Sequence, residues 1–192
     1  MNRLWSPDGQ TIAFTRGPSS GLIGAPGPYN IVLTNVDGTN VRQLTEGIAA
    51  NYAMAWMPDG KRLLYTVESR DGAFLHLMDL QTGEIRSLFV MNYNGTIVVS
   101  PDGKRLAFEE ILPLDKYGLF VSDLDGSNRK LLADGAPYTT TVLAWSPDGY
   151  WVITTVHDPD PIKQPILALI QVNTCQIILL LNLSGYVTSW LP

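Results

Sequence analysis

The sequence has little of what ties small proteins together or does chemistry. Cys175 is the only cysteine in 192 residues. No internal disulfide can form, and one thiol is no metal cluster, so Cys175 reads as a small apolar residue in a turn. Histidine is nearly as scarce, with only His76 and His157. Charged residues make up 16% of the chain, a share that suits a sheet protein with little exposed helix surface. Cations are the minority, 13 Lys and Arg against 18 Asp and Glu, for a net charge of −5. That argues against nucleic acid as a partner, because neutralising phosphates needs clustered cations. The N-terminus lacks an apolar leader. Met1-Asn2-Arg3-Leu4-Trp5 runs straight into the first structural motif, so no signal peptide is expected in this chain and the compartment stays open. The longest apolar stretch, 165–183, is broken by Gln171, Asn173, Thr174, Gln176 and Asn182. It reads as two buried strands turning at Asn173-Thr174, with no membrane span. No cofactor and no metal are expected.

Turn residues and a repeat are abundant. The 17 Gly and 13 Pro are spread along the chain and punctuate it. Trp5-Ser6-Pro7-Asp8-Gly9 recurs as Trp56-Met57-Pro58-Asp59-Gly60, Val99-Ser100-Pro101-Asp102-Gly103 and Trp145-Ser146-Pro147-Asp148-Gly149. A truncated fifth copy, Ser189-Trp190-Leu191-Pro192, ends the chain. The prolines are 51, 43, 46 and 45 residues apart, the size of one four-stranded propeller blade. In each motif Pro presets φ, Asp can bond its own backbone and Gly accepts positive φ, so the triplet joins two strands tightly. An apolar strand follows, such as Ile12-Ala13-Phe14 or Leu106-Ala107-Phe108. A second hairpin completes each repeat. Its turn is Asp37-Gly38-Thr39-Asn40, then Gln81-Thr82-Gly83, then Asp125-Gly126-Ser127-Asn128, then Asn173-Thr174.

The pattern predicts an all-β chain, a β-propeller of four four-stranded antiparallel blades plus the start of a fifth. The blades fall at 1–46, 47–90, 91–134 and 135–183, with 184–192 beginning another. Propellers have roughly 4–8 blades. A piece of a larger ring therefore ranks first, a closed four-blade ring second and a head-to-tail dimer of half-rings third. The apolar outer strand of the last repeat suggests a covered surface, and open blade edges make a homodimer possible.

Trp-Ser-Pro-Asp-Gly with its apolar triplet, then Asp-Gly and Arg-x-Leu, resembles the blades of TolB-type propellers. It is similar also to the propeller domains of prolyl-oligopeptidase-type peptidases. The third repeat departs from the pattern with Val99 in place of Trp, and the Gly-His and Trp-Asp signatures of ordinary WD40 blades are absent. The resemblance specifies fold far better than function. It implies a family that is often periplasmic or extracellular.

Strand parity puts the tight Pro-Asp-Gly and Asp-Gly turns on one rim and the irregular connections on the other. Function is expected on the irregular rim. Glu68, Asp71, Glu109, Glu110, Asp158 and Asp160 are its candidate binding residues, part of an acidic mouth suited to a basic protein partner or a cation. The chemical motifs have simpler readings. Gly17-Pro18-Ser19-Ser20-Gly21 matches a nucleophile elbow but has no helix after it. His76 is a packing residue of a strand. His157-Asp158-Pro159-Asp160 is a turn-forming loop with no second ligand cluster. Asp123-Leu124-Asp125-Gly126-Ser127-Asn128 is a hairpin turn that lacks the distal Glu of a calcium loop. Glu109 and Glu110 are adjacent strand residues facing opposite ways, so they are poorly placed for joint acid–base work. Asn94-Gly95-Thr96 and Asn182-Leu183-Ser184 fit the glycosylation pattern, relevant only to a eukaryotic secreted chain. The leading functional expectation is a non-catalytic scaffold for protein–protein interaction. The first alternative is an accessory propeller of a peptidase whose hydrolase domain lies outside this chain. The second is a propeller enzyme acting on a sugar or lactone.

Overall fold

The computed structural model describes residues 3–17, 28–70, 72–92, 95–134, 139–157 and 165–180. Sixteen strands form four antiparallel meanders of four strands each. The first comprises β1 (Arg3–Trp5), β2 (Thr11–Arg16), β3 (Asn30–Asn35) and β4 (Arg42–Gln43). The second comprises β5 (Asn51–Trp56), β6 (Arg62–Ser69), β7 (Gly72–Asp79) and β8 (Ile85–Met91). The third comprises β9 (Ile97–Val99), β10 (Arg105–Leu112), β11 (Lys116–Asp123) and β12 (Lys130–Ala133). The fourth comprises β13 (Thr139–Trp145), β14 (Trp151–His157), β15 (Ile166–Gln171) and β16 (Ile177–Leu180). This is the all-β propeller architecture that the repeats predict, one sheet per repeat. The truncated fifth motif lies outside the described residues. The only helical element among them is a 3-10 turn, Pro113–Asp115. No helix among them is long and apolar enough to cross a membrane.

The chain divides into two compact units, Met1–Asn94 and Gly95–Pro192, each holding two blades. The two units repeat one core. In the first, Ala13, Ile31, Leu33, Ala53, Leu63 and Met78 are buried together, with Leu44, Trp56 and Leu80 packed against them. In the second, the same repeat positions are Ala107, Leu119, Val121, Val142, Val152 and Ile170, with Leu132, Trp145 and Val172. Each cluster draws on both blades of its unit. Burial of a large aliphatic side chain stabilises by roughly 1.5–3 kcal/mol, so these layers between the blades hold each pair together.

The strand-joining turns are built as the motif predicts. Ser6 Oγ donates to Asp8 Oδ1 at 2.6 Å and accepts from the Thr11 amide at 2.9 Å. Asp8 Oδ1 also accepts from the Gln10 amide at 3.0 Å, and Gly9 has φ of +69°. Ser100 with Asp102 and Ser146 with Asp148 repeat the arrangement. In the second blade Met57 replaces the serine. There Asp59 accepts from the Lys61 amide at 2.8 Å and from Arg62 Nε at 2.7 Å. The Asp125 hairpin is likewise a turn, its carboxylate accepting from the Ser127 amide and hydroxyl. Cys175 sits half-buried in the β15–β16 turn with φ of +58°.

Candidate functional site

Three of the side-chain bonds between neighbouring blades occur at the same repeat positions in both units. The indole Nε1 of Trp56 donates to the Leu4 carbonyl at 3.0 Å, and that of Trp145 to the Val98 carbonyl at 3.1 Å. Arg42 donates to the Leu80 carbonyl at 3.0 Å, and Lys130 to the Val172 carbonyl at 2.9 Å. The third bond starts from a bulge. The β5–β6 ladder slips between Ala53 and Ala55, and the β13–β14 ladder between Val142 and Ala144. A bulge releases backbone groups from the ladder. The Ala53 amide donates to Thr15 Oγ1 at 3.1 Å and the Val142 amide to Glu109 Oε1 at 2.6 Å. These joints also account for several turn-rim cations. Arg105 donates to the Gly149 carbonyl at 2.7 Å with its guanidinium over the Trp145 ring, whereas Arg62 pairs within its own turn, with Asp59.

The opposite rim carries the irregular connections. In the first unit an aromatic pair lies under it, the buried Tyr29 and the half-buried Tyr52, stacked with ring centroids 5.4 Å apart. Tyr29 is held at the end of β2–β3 by its carbonyl, which accepts from both the amide and the side-chain Nδ2 of buried Asn51. The Glu68 amide donates to the Ala50 carbonyl, which brings the exposed end of β6 to the same place. Burial, then the nearby Glu68 carboxylate, raises the Tyr52 hydroxyl above its ordinary value. Beside this cluster the β4–β5 connection carries Ile48, 95% exposed. In the second unit the β10–β11 turn carries Leu114, 88% exposed with φ of +67°. The turn rim of the first unit holds a polar groove of about 300 Å³ between β4 and the β7–β8 turn.

The expected binding residues separate here. Glu68 is on the rim, exposed. Asp71, Asp158 and Asp160 lie outside the described residues, as do residues 18–21 of the Gly-x-Ser-x-Gly match. Glu109 and Glu110 are not loop residues. Both lie inside β10, and they are only 4% and 8% exposed. The strand runs on to Leu112, laddered to β11 as far as Lys116, and each carboxylate has a partner. Glu109 faces the fourth blade and accepts from Val142. Glu110 faces the other way and accepts both hydrogen bonds of Arg129 Nη1, at 2.7 and 2.8 Å. Opposed facing was legible from strand parity; the burial was not. Without this pair the acidic excess of the rim fades: among the described residues, exposed Glu46, Glu68 and Asp134 stand against exposed Arg16, Arg70 and Lys116. His76 packs in β7, stacked on Tyr65 with centroids 5.2 Å apart and bonded to Ser87. Burial lowers its basicity. Among the described residues no three His, Cys, Asp or Glu side chains gather as metal ligands. The Tyr29–Tyr52 pair escaped the sequence reading. Its one sequence signal is a tyrosine just outside a strand of one blade and another inside the first strand of the next.

A family model described as the TolB beta propeller domain matches residues 2–190. The crystal structure of TolB from Acinetobacter baumannii superposes with a TM-score of 0.71 at 22% identity, over 88% of this chain and 41% of that one. A puromycin-hydrolyzing peptidase of Mycobacterium tuberculosis gives 0.65 at 17% identity, over 93% of this chain and 28% of that one. At these identities the likeness is one of fold. In sequence, the chain is 27% identical over 153 residues to the uncharacterized peptidase YuxL of Bacillus subtilis (strain 168). That alignment takes in 80% of this chain and 21% of YuxL. The chain thus spans about a fifth of this curated relative and about two fifths of TolB.

Proposed function

The chain belongs to the TolB β-propeller domain family, and from that premise we propose that it is a non-catalytic scaffold for protein–protein interaction, with the irregular rim as its recognition surface. The observation that carries this reading is the rim of the first unit. There the exposed Glu68 and the half-buried Tyr52, backed by the buried Tyr29, stand at the same rim as an isoleucine, Ile48, left almost wholly in solvent. A rigid, partly accessible aromatic at one rim with an exposed apolar side chain and a charge suits a protein-binding surface. Glu68 beside the tyrosines suits a basic side chain of the partner, and such a contact weakens as salt rises. The opposite rim carries the tight turns, joints between blades and, in the first unit, the polar groove beside β4.

The test is affinity purification with quantitative cross-linking, comparing the chain with I48D and E68R on the recognition rim and with K61E on the turn rim. The reading expects a partner retained by K61E, lost from I48D and weakened in E68R, with a salt-dependent affinity for the parent chain. Equal retention by all three variants contradicts it.

The match to YuxL supports a second reading, in which this propeller is the accessory domain of a peptidase. On that reading the gene continues into a hydrolase domain with its own nucleophile, and the rim faces that domain. Sequencing the full reading frame separates the two.

A further inference from the structure

Eight residues past each motif proline the repeat places a buried polar side chain in the second strand of the blade. Three blades use a hydroxyl: Thr15, Thr66 and Thr155 are 3%, 0% and 3% exposed. The third blade alone uses a carboxyl, Glu109, at 4%. Thr15 and Glu109 do the same job, accepting the bulge amide of the next blade, from Ala53 and from Val142. Glu109 also receives a long contact of 3.4 Å from the Thr96 amide through Oε2. A hydroxyl acceptor carries no charge in the working pH range. A carboxyl changes charge in place, and its surroundings decide which form they favour.

Among the described residues, the strands packed against Glu109 bring no cation to it. The strands β9 and β13 contain no ionisable residue. On β11 the residue paired with Glu109 is Leu119, while Lys116, Tyr117 and Asp123 lie further along the strand. On β10 itself Arg105 is engaged with Gly149 and Trp145 at the turn rim, and Glu110 faces away, paired to Arg129. Two amide donors favour the ionised carboxylate, and burial opposes it. Burial is the larger effect and pushes Glu109 up to about 7.

We propose that Glu109 makes the joint between the third and fourth blades a proton-operated latch, closed with the carboxyl protonated and loosened when it ionises, while the Thr15 joint between the first and second blades is indifferent to pH. The sign follows from linkage. The folded joint binds the proton more tightly than an opened, hydrated one, so its contribution is complete below the ordinary carboxyl range. It is lost as pH rises through the folded value.

Amide hydrogen exchange of the intact chain tests this, because Val142 and Ala53 are matched amides in one molecule. Protection factors corrected for intrinsic exchange are followed from pH 5 to pH 8. The latch predicts that the Val142-to-Ala53 ratio falls on the order of a hundredfold across that range. In E109T, which installs the residue of the other three blades, the ratio stays level; E109Q, also unable to ionise, serves if the threonine variant fails to fold. A level ratio in the parent chain, or the same fall in either variant, overturns the proposal.

Discussion

The indole of Trp145 and the carbonyl of Val98 are 47 residues apart in sequence and joined by a hydrogen bond of 3.1 Å. Trp56 and Leu4 repeat the bond in the first unit. The motif tryptophan is therefore a joint between blades as well as a filler of the core. Trp145→Phe keeps most of the ring and removes the donor, leaving the Val98 carbonyl without it. The expected loss is about 1–3 kcal/mol, read from urea unfolding. Trp145→Ala adds a cavity and should cost about 3–5 kcal/mol.

The serine of the turn motif offers a second test. Ser100 Oγ donates to Asp102 and accepts from the Arg105 amide, and Ser100 is fully buried. Ser100→Ala leaves that amide without its acceptor, and a loss of about 1–2 kcal/mol is expected. At the equivalent place in the second blade Met57→Ala removes no such bond, so its cost comes from lost apolar contact alone. A double-mutant comparison with Asp102→Asn separates the two, since only S100A should be coupled to it.

Two glycines should respond differently to alanine. Gly72 has φ of +125°, and a Cβ there would meet the Met91 carbonyl oxygen at 2.5 Å. Gly83 has φ of +77° and open space around it. Gly83→Ala then costs about 1 kcal/mol for its backbone conformation alone. Gly72→Ala must shift backbone as well and costs more, about 2–4 kcal/mol or a failure to fold. Paired thermal melts give the order directly.

Acid should weaken the chain through its turns. Hydroxyl bonds from Ser6, Ser100 and Ser146, then the amides of Gln10, Lys104 and Tyr150, hold Asp8, Asp102 and Asp148 below the ordinary carboxylate value. A depressed folded value contributes stability above the ordinary range, which is lost as pH falls through the folded value. The denaturation midpoint is expected to fall below about pH 4. Ser100→Ala should release Asp102 toward its ordinary value, which a carboxyl NMR titration would show. An unmoved Asp102 titration would assign the depression elsewhere.

Most of the fold was legible because its grammar is local. Pro-Asp-Gly and Asp-Gly dictate tight turns whatever surrounds them, and their spacing counts the strands. The rim was less legible because it depends on which residues meet across blades. Glu109 and Glu110 look like a solvated pair until the Val142 bulge and Arg129 are seen to receive them. A bulge is a register event between strands, and nothing in Ala144 or its neighbours announces it. Nor does the sequence show that Arg42, Lys130 and Arg105 end on backbone carbonyls of the next blade.

The central claim is that partners are taken by the irregular rim. Site-specific photo-crosslinking measures this most directly, with the probe placed at Ile48, then at Leu114, then at Asn40 on the turn rim. The account predicts cross-links to one partner from Ile48 or Leu114, depleted by E68R where the probe is at Ile48, and none from Asn40. Capture of the partner from Asn40, with Ile48 and Leu114 silent, would contradict it.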